Sequence, residues 1–133
     1  MRYLLDTDIC VYIIKDRPLP VRERLAELHG TQAGMSVVSY LELWYGAWKS
    51  TQRQESLRKI EELREAIPVL PLDAEIARYF GRIRADLERQ GTPIGSYDLM
   101  IAAHALSLDL ILVTNNTREF ARIEGLRLEN WAA

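Results

Sequence analysis

Cysteine is almost missing from this 133-residue chain: it has only Cys10, so no internal disulfide can form. Histidine is nearly as scarce, with only His29 and His104. His29 precedes a glycine at an expected helix end and His104 lies in an apolar helical stretch. Neither context suits a typical zinc site, and neither offers Cys10 a partner for nucleophilic catalysis. Cys10 and His104 therefore read as buried packing residues. No apolar run reaches membrane-spanning length, because Asp6 and Asp8 interrupt the opening one, and no signal-peptide pattern stands out. These absences point to a reducing cytoplasm. A strong charge of one sign is absent too. The formal net charge of -2 supplies no overall basic field, so any contact with nucleic acid must be local. Lysine contributes only Lys15, Lys49 and Lys59 to the 17 basic residues. Arginine, whose planar fork matches phosphates and carboxylates, supplies the others, although pairing with surface glutamates explains such a bias equally well. Repeats, linkers and low-complexity tracts are missing, and the length suits one well-filled core, so residues 1–133 read as a single domain.

What the chain does have is alternation. Tyr3–Leu5 reads as a short buried strand, and Asp8 can cap a short helix over Ile9–Lys15. The turn Arg17-Pro18-Leu19-Pro20 precedes VRERLAELHG, a helix expected to end at Gly30. GMSVVS predicts a second strand feeding the helix SYLELWYGAWKS, and TQRQESLRKIEELREAI is an amphipathic helix stopped by Pro68. PVLPL predicts a third strand, and DAEIARYFGRIRADLERQ a helix with Asp73 at its start. After the loop GTPIGS, YDLMIAAHALSL reads as a buried helix, LILVT as a fourth strand, NNTREFARI as a turn with a short helix and LRLENW as a last strand. Strands alternating with helices imply an α/β sandwich around a mostly parallel sheet, whose ligands bind beyond the carboxyl ends of the strands.

That rule singles out the strand endings. Asp6 ends strand one, Glu42 follows strand two, Asp98 enters the apolar helix, and Thr114-Asn115-Asn116 ends strand four. Each acid has an ordinary explanation when taken alone. Ser39-x-x-Glu42 fits a capping box, Asp98 can complement a helix dipole, and Asp8 can serve as a cap. Asp6 has no such explanation. Three carboxylates at strand-to-helix junctions on one side of a sheet form a candidate oxygen-ligand site. Crowded carboxylates resist ionising unless a cation neutralises them, and hard magnesium or manganese suits oxygen donors.

The ordered set LLDTDIC, SVVSYLELWYG, GTPIGSYDLMIAAHAL, LVTNNTREF and LRLENW resembles the PIN-domain ribonucleases of the VapC toxin type along essentially the whole chain. The resemblance implies a PIN-like three-layer sandwich: a five-stranded, mostly parallel sheet flanked by helices. It also implies a Mg2+- or Mn2+-dependent endoribonuclease, a homodimer and a VapB-type antitoxin partner. Transfer RNA is the implied substrate, with initiator transfer RNA the leading candidate. On it, Asp6 and Asp98 match the acidic metal positions and Glu42 the third member. Two departures matter. The first motif more often reads Asp-Thr-Asn, so Asp8 adds a negative charge. The turn after strand four often carries an aspartate where Asn116 stands, which makes Asn116 and Glu119 second-rank candidates.

Two rival readings start from the same residues. Asp6-Thr7-Asp8-Ile9-Cys10 approximates the opening motif of haloacid dehalogenase-type phosphatases, but no later acidic pair or well-placed lysine accompanies it. A non-catalytic PIN-like module that binds RNA is the other. Trp44 and Trp48, four residues apart in an aromatic helix, can form an interface or fill the domain's own core.

Overall fold

The computed structural model describes residues 1–28 and 32–133. The expected helix end at Gly30, with His29 beside it, lies outside the described residues. Five strands, β1 (Tyr3–Leu5), β2 (Ala33–Ser36), β3 (Val69–Leu70), β4 (Ile111–Val113) and β5 (Leu128–Glu129), form one sheet in the order β3-β2-β1-β4-β5. Every pairing is parallel. The helices between them are α1 (Thr7–Lys15), α2 (Leu19–Ala26), α3 (Val37–Lys49), α4 (Arg53–Ala66), α5 (Ile76–Arg89), α6 (Ser96–Ser107) and α7 (Thr117–Phe120).

A parallel sheet is covered on both faces, which is why its central strands are apolar without alternation. The pleat still divides them. Tyr3 and Leu5 join Ala33, Met35, Ile111 and Val113 on one face, under α1, α4 and the Leu43–Ala47 side of α3. Leu4 and Leu112 point to the other face, where they meet Ile83 and Leu87 of α5, Ile101 and Ala105 of α6, and Phe120. Trp131 closes the first face, with its ring edge-on to Tyr3 at 5.2 Å. Gly34 sits at a close approach. A Cβ there would stand 3.2 Å from the Pro68 carbonyl and 2.7 Å from Met1 Sδ, so a side chain would press on the strand edge at Pro68 and displace Met1. At the end of α5, Gly91 takes a left-handed φ of 73°, and the Thr92 amide returns to the Leu87 carbonyl at 2.9 Å, which closes the helix.

Several expected boundaries move. The second strand stops at Ser36, and α3 begins at Val37, two residues earlier than the expected start at Ser39. Ser36 Oγ accepts from the Val38 amide at 3.1 Å, and burial of Val38 outweighs the strand preference of β-branched residues. α2 starts inside the expected turn, because Pro20 lacks only an amide hydrogen that a first helical turn leaves free. α1 begins at Thr7, so its cap is Asp6 and not Asp8. The outer strands β3 and β5 are shorter than their apolar stretches. Among the described residues, no helix is long and apolar enough to cross a membrane.

Candidate active site

Strand order reverses at β1: the chain leaves it towards β2 on one side and returns through α5 and α6 to β4 on the other. The crevice beyond the ends of β1 and β4 is the place where such sheets bind ligands, and the acidic residues gather there. Asp6 follows β1 and is 6% exposed. Its Oδ1 accepts from the Thr7 amide at 2.8 Å, and its Oδ2 from Thr114 Oγ1, just past β4, at 2.8 Å. Burial, reinforced by the charge of Asp8 and to a lesser degree of Asp98, pushes this carboxyl up to about 7 against the pull of those two hydrogen bonds.

Asp98 lies in the first turn of α6, half-buried. Its carboxyl is raised to about 6, by burial first and then by the charges of Glu119 and Glu42, a hydrogen bond to Glu119 and the charge of Asp8. Asp98 stands in the first turn of α6, where the helix dipole favours it, yet burial and the neighbouring acids outweigh that effect. Burial raises the Asp8 carboxyl as well.

Glu42 is not part of a capping box. With α3 starting at Val37, Ser39 lies within the helix and is fully buried, and Glu42 turns towards α1. Thr7 Oγ1 lies 2.8 Å from Glu42 Oε1 and 2.9 Å from Ser39 Oγ. An ionised carboxylate can only accept, so the one Thr7 hydroxyl hydrogen goes to Glu42 and Ser39 supplies the other bond. Thr7 thus fixes Glu42 from the end of β1. Thr114 does the same for the far wall, donating to Asp6 while accepting from the Asn116 amide at 2.9 Å. Sequence reasoning missed the supporting roles of Thr7, Ser39 and Thr114. The available signal was a hydroxyl residue within three positions of the ends of β1, β2 and β4.

The turn after β4 brings in the remaining residues. Asn116 is exposed, and its side-chain amide donates to Glu119 Oε2. Glu119 faces Asp98. Asp8 Oδ2 accepts from the Asn115 amide at 3.0 Å, so Asp8 ties this turn to α1. Asp8 Oδ1 is buried without a partner. Cys10 is fully buried and its thiol is pushed up by burial, which leaves it unreactive. His104 is also fully buried, as expected of a packing residue.

The acids meet at charge-interaction range without forming a finished cage. Among the described residues no three His, Cys, Asp or Glu side chains already stand as an ion's ligands. The donor set nevertheless suits a hard divalent cation. It consists of oxygen atoms, two of its carboxyls are strained upward by like charge and burial, and one buried oxygen lacks a partner. One or two carboxylates with water and a substrate phosphate are enough for magnesium. Glu42, Gly95, Ser96, Tyr97 and Asp98 line an open cleft of about 370 Å³ leading to this point.

The aromatic helix α3 divides its two tryptophans. Trp44 is half-buried against the core, edge-on to Tyr40 at 6.2 Å. Trp48 is 52% exposed beneath the Arg53 guanidinium, and Tyr45 is 68% exposed.

Comparison with known proteins agrees with this geometry. The PIN domain family pattern matches residues 3–126. The chain is 48% identical over 132 residues to the tRNA(fMet)-specific endonuclease VapC of Shigella flexneri, covering 99% of each sequence. It superposes with a TM-score of 0.92 on a chain of DNA-bound VapBC from Salmonella typhimurium, at 44% identity and 98% coverage of both. The TM-score is again 0.92 for VapBC2 from Rickettsia felis bound to a promoter DNA fragment, at 38% identity, covering 98% of this chain and 99% of that one. With the parallel sheet, the reversal at β1 and the acids gathered there, these likenesses make the chain a PIN-domain protein of the VapC family.

Proposed function

We propose that this protein is a metal-dependent endoribonuclease toxin that hydrolyses phosphodiester bonds in transfer RNA and is held inactive by a VapB-type antitoxin. The observation that carries the reading is the meeting of Asp6, Asp98 and Glu42 at the ends of β1 and β4, with two carboxyls raised well above the usual range. Initiator transfer RNA is the favoured substrate, because the Shigella relative is named for it. The phosphatase alternative is overturned by the family match. Residues 1–133 act as one PIN domain, and the cytoplasm, where transfer RNA resides, is the working compartment.

Asp6 and Asp98 would hold Mg2+ or Mn2+, with Glu42 as the third acid and Asn116 and Glu119 as outer members. Such an ion, when bound, polarises a phosphate oxygen and makes water a better nucleophile. The chain's own contribution is positional. Thr7 and Thr114 keep Glu42 and Asp6 from turning away, and burial of Asp6 keeps bulk water from screening its charge. Asp8 adds negative charge that strengthens the demand for a cation. Water made nucleophilic at such a cation is the attacking group of this reading, and the products then carry 5′-phosphate and 3′-hydroxyl ends. The exposed Leu41, Tyr45 and Trp48 of α3 supply an apolar surface for a homodimer contact.

The direct test is cleavage of initiator transfer RNA by the purified chain in Mg2+ and Mn2+. Asp98→Asn should lower kcat at least 100-fold with the fold intact. Unchanged turnover in that variant would remove the acid cluster from the chemistry.

A further inference from the structure

His104 is the largest buried polar side chain outside the acid cluster, and it connects the two helices that carry the site. Its Nδ1 stands 2.8 Å from Ser36 Oγ, and both residues are 0% exposed. Ser36 is the cap of α3, the helix of Ser39 and Glu42, and His104 lies six positions beyond Asp98 on α6. The hydrogen-bond balance gives the contact a direction. Ser36 Oγ already accepts from the Val38 amide, so its own hydrogen is free to go to Nδ1. Burial lowers the imidazole's affinity for a proton, so the ring is neutral, with one donor and one acceptor nitrogen. Nε2 is buried and makes no well-formed hydrogen bond among the described residues, so the Ser36 bond is the ring's principal anchor. The cleft between Glu42 and Asp98 opens between these same two helices.

We infer that His104 is a positioning residue: by accepting the Ser36 hydroxyl it locks the start of α3 to α6 and so sets the separation of Glu42 from Asp98. Buried hydrogen bonds between elements are costly to leave half-made, so the lock holds one spacing and resists others. A site whose acids meet only at charge range gains most from such a restraint, because small shifts between α3 and α6 alter how two carboxylates share one cation.

This inference rests on the nuclease reading for its purpose, but its test does not depend on RNA. Mn2+ affinity of the full chain is measured by electron paramagnetic resonance of free Mn2+, for unsubstituted protein and for His104→Leu, His104→Asn and His104→Gln. Asparagine can place its carbonyl oxygen where Nδ1 accepts, whereas glutamine reaches the Nε2 side and leaves Ser36 without an acceptor. The expected result is Mn2+ binding within 2-fold of normal for His104→Asn and about 5- to 10-fold weaker for His104→Leu and His104→Gln, about the size of one lost support behind a metal ligand. Hydrogen exchange at the first turn of α3 should quicken in the same two variants. If His104→Leu does not fold, the Asn and Gln pair still decides. Equal Mn2+ binding in those two, or normal binding in a folded His104→Leu, overturns the proposal, as does an unsubstituted chain that binds no Mn2+. Normal Mn2+ behaviour without RNA cleavage would instead refute the nuclease reading and leave the lock standing.

Discussion

Asp6 shows how one residue can work against the fold it sits in. It caps α1 and ties β1 to the end of β4, yet its carboxyl is raised to about 7 because burial and Asp8 oppose its ionisation. The folded state therefore holds a proton that the unfolded chain has already released above pH 4. By linkage, the contribution of this group to stability is greatest at low pH and declines as pH rises through the interval from about 4 to 7. Asp98, raised to about 6 by burial and by Glu119, acts in the same direction. Metal-free protein should lose stability between about pH 4 and pH 7, and Asp6→Asn should flatten that decline. At pH 8 the variant should be stabilised by about 1–2 kcal/mol, a rise of a few degrees in Tm. Thermal melts in chelator across this range check it, and a variant no more stable than its parent at pH 8 would contradict it. Asp6 was legible in the sequence because a carboxylate ending an apolar strand has no ladder to serve. Its dependence on Thr114, 108 residues away, was not, since only the pairing of β1 with β4 brings them together.

At the scale of elements, the sequence disclosed the alternation and the apolar faces but placed some boundaries wrongly. The error at α3 had the largest consequence. Val37 and Val38 have strand chemistry, and only the cap at Ser36 with the burial of Val38 turns them into a helical turn. Beginning the helix two residues too late made Ser39 a cap and Glu42 its partner, when both in fact face Thr7. The turn from β4 into α7 gives a second case. Asn116 stands where the family resemblance leads one to expect an aspartate, and its amide is directed to Glu119, which faces Asp98. If this turn supplies an outer ligand, Asn116→Asp should lower the metal concentration for half-maximal cleavage by about 3-fold or more, and Glu119→Gln should raise it. Identical metal titrations for both variants and the parent would make the turn scaffolding.

At the scale of the whole molecule, a net charge of -2 means that the acid cluster is not balanced by a basic field, and it repels RNA unless a cation is present. The same negative pocket suits a guanidinium from an antitoxin, which could pair bidentately with Asp6 or Asp98 and occupy the cation's place. Antitoxin affinity should therefore fall as Mg2+ rises and should weaken in Asp6→Asn with Asp98→Asn, as read by calorimetric titration. An affinity indifferent to both would place the antitoxin elsewhere on the domain. The central claim is hydrolysis by water at a carboxylate-held cation, and the chemistry of the cut ends tests it most directly. Initiator transfer RNA treated briefly with the purified chain in Mg2+ should yield 5′-phosphate and 3′-hydroxyl ends, and cutting should stop in chelator and in Asp98→Asn. A 2′,3′-cyclic phosphate, or cutting that persists in chelator, would contradict the account.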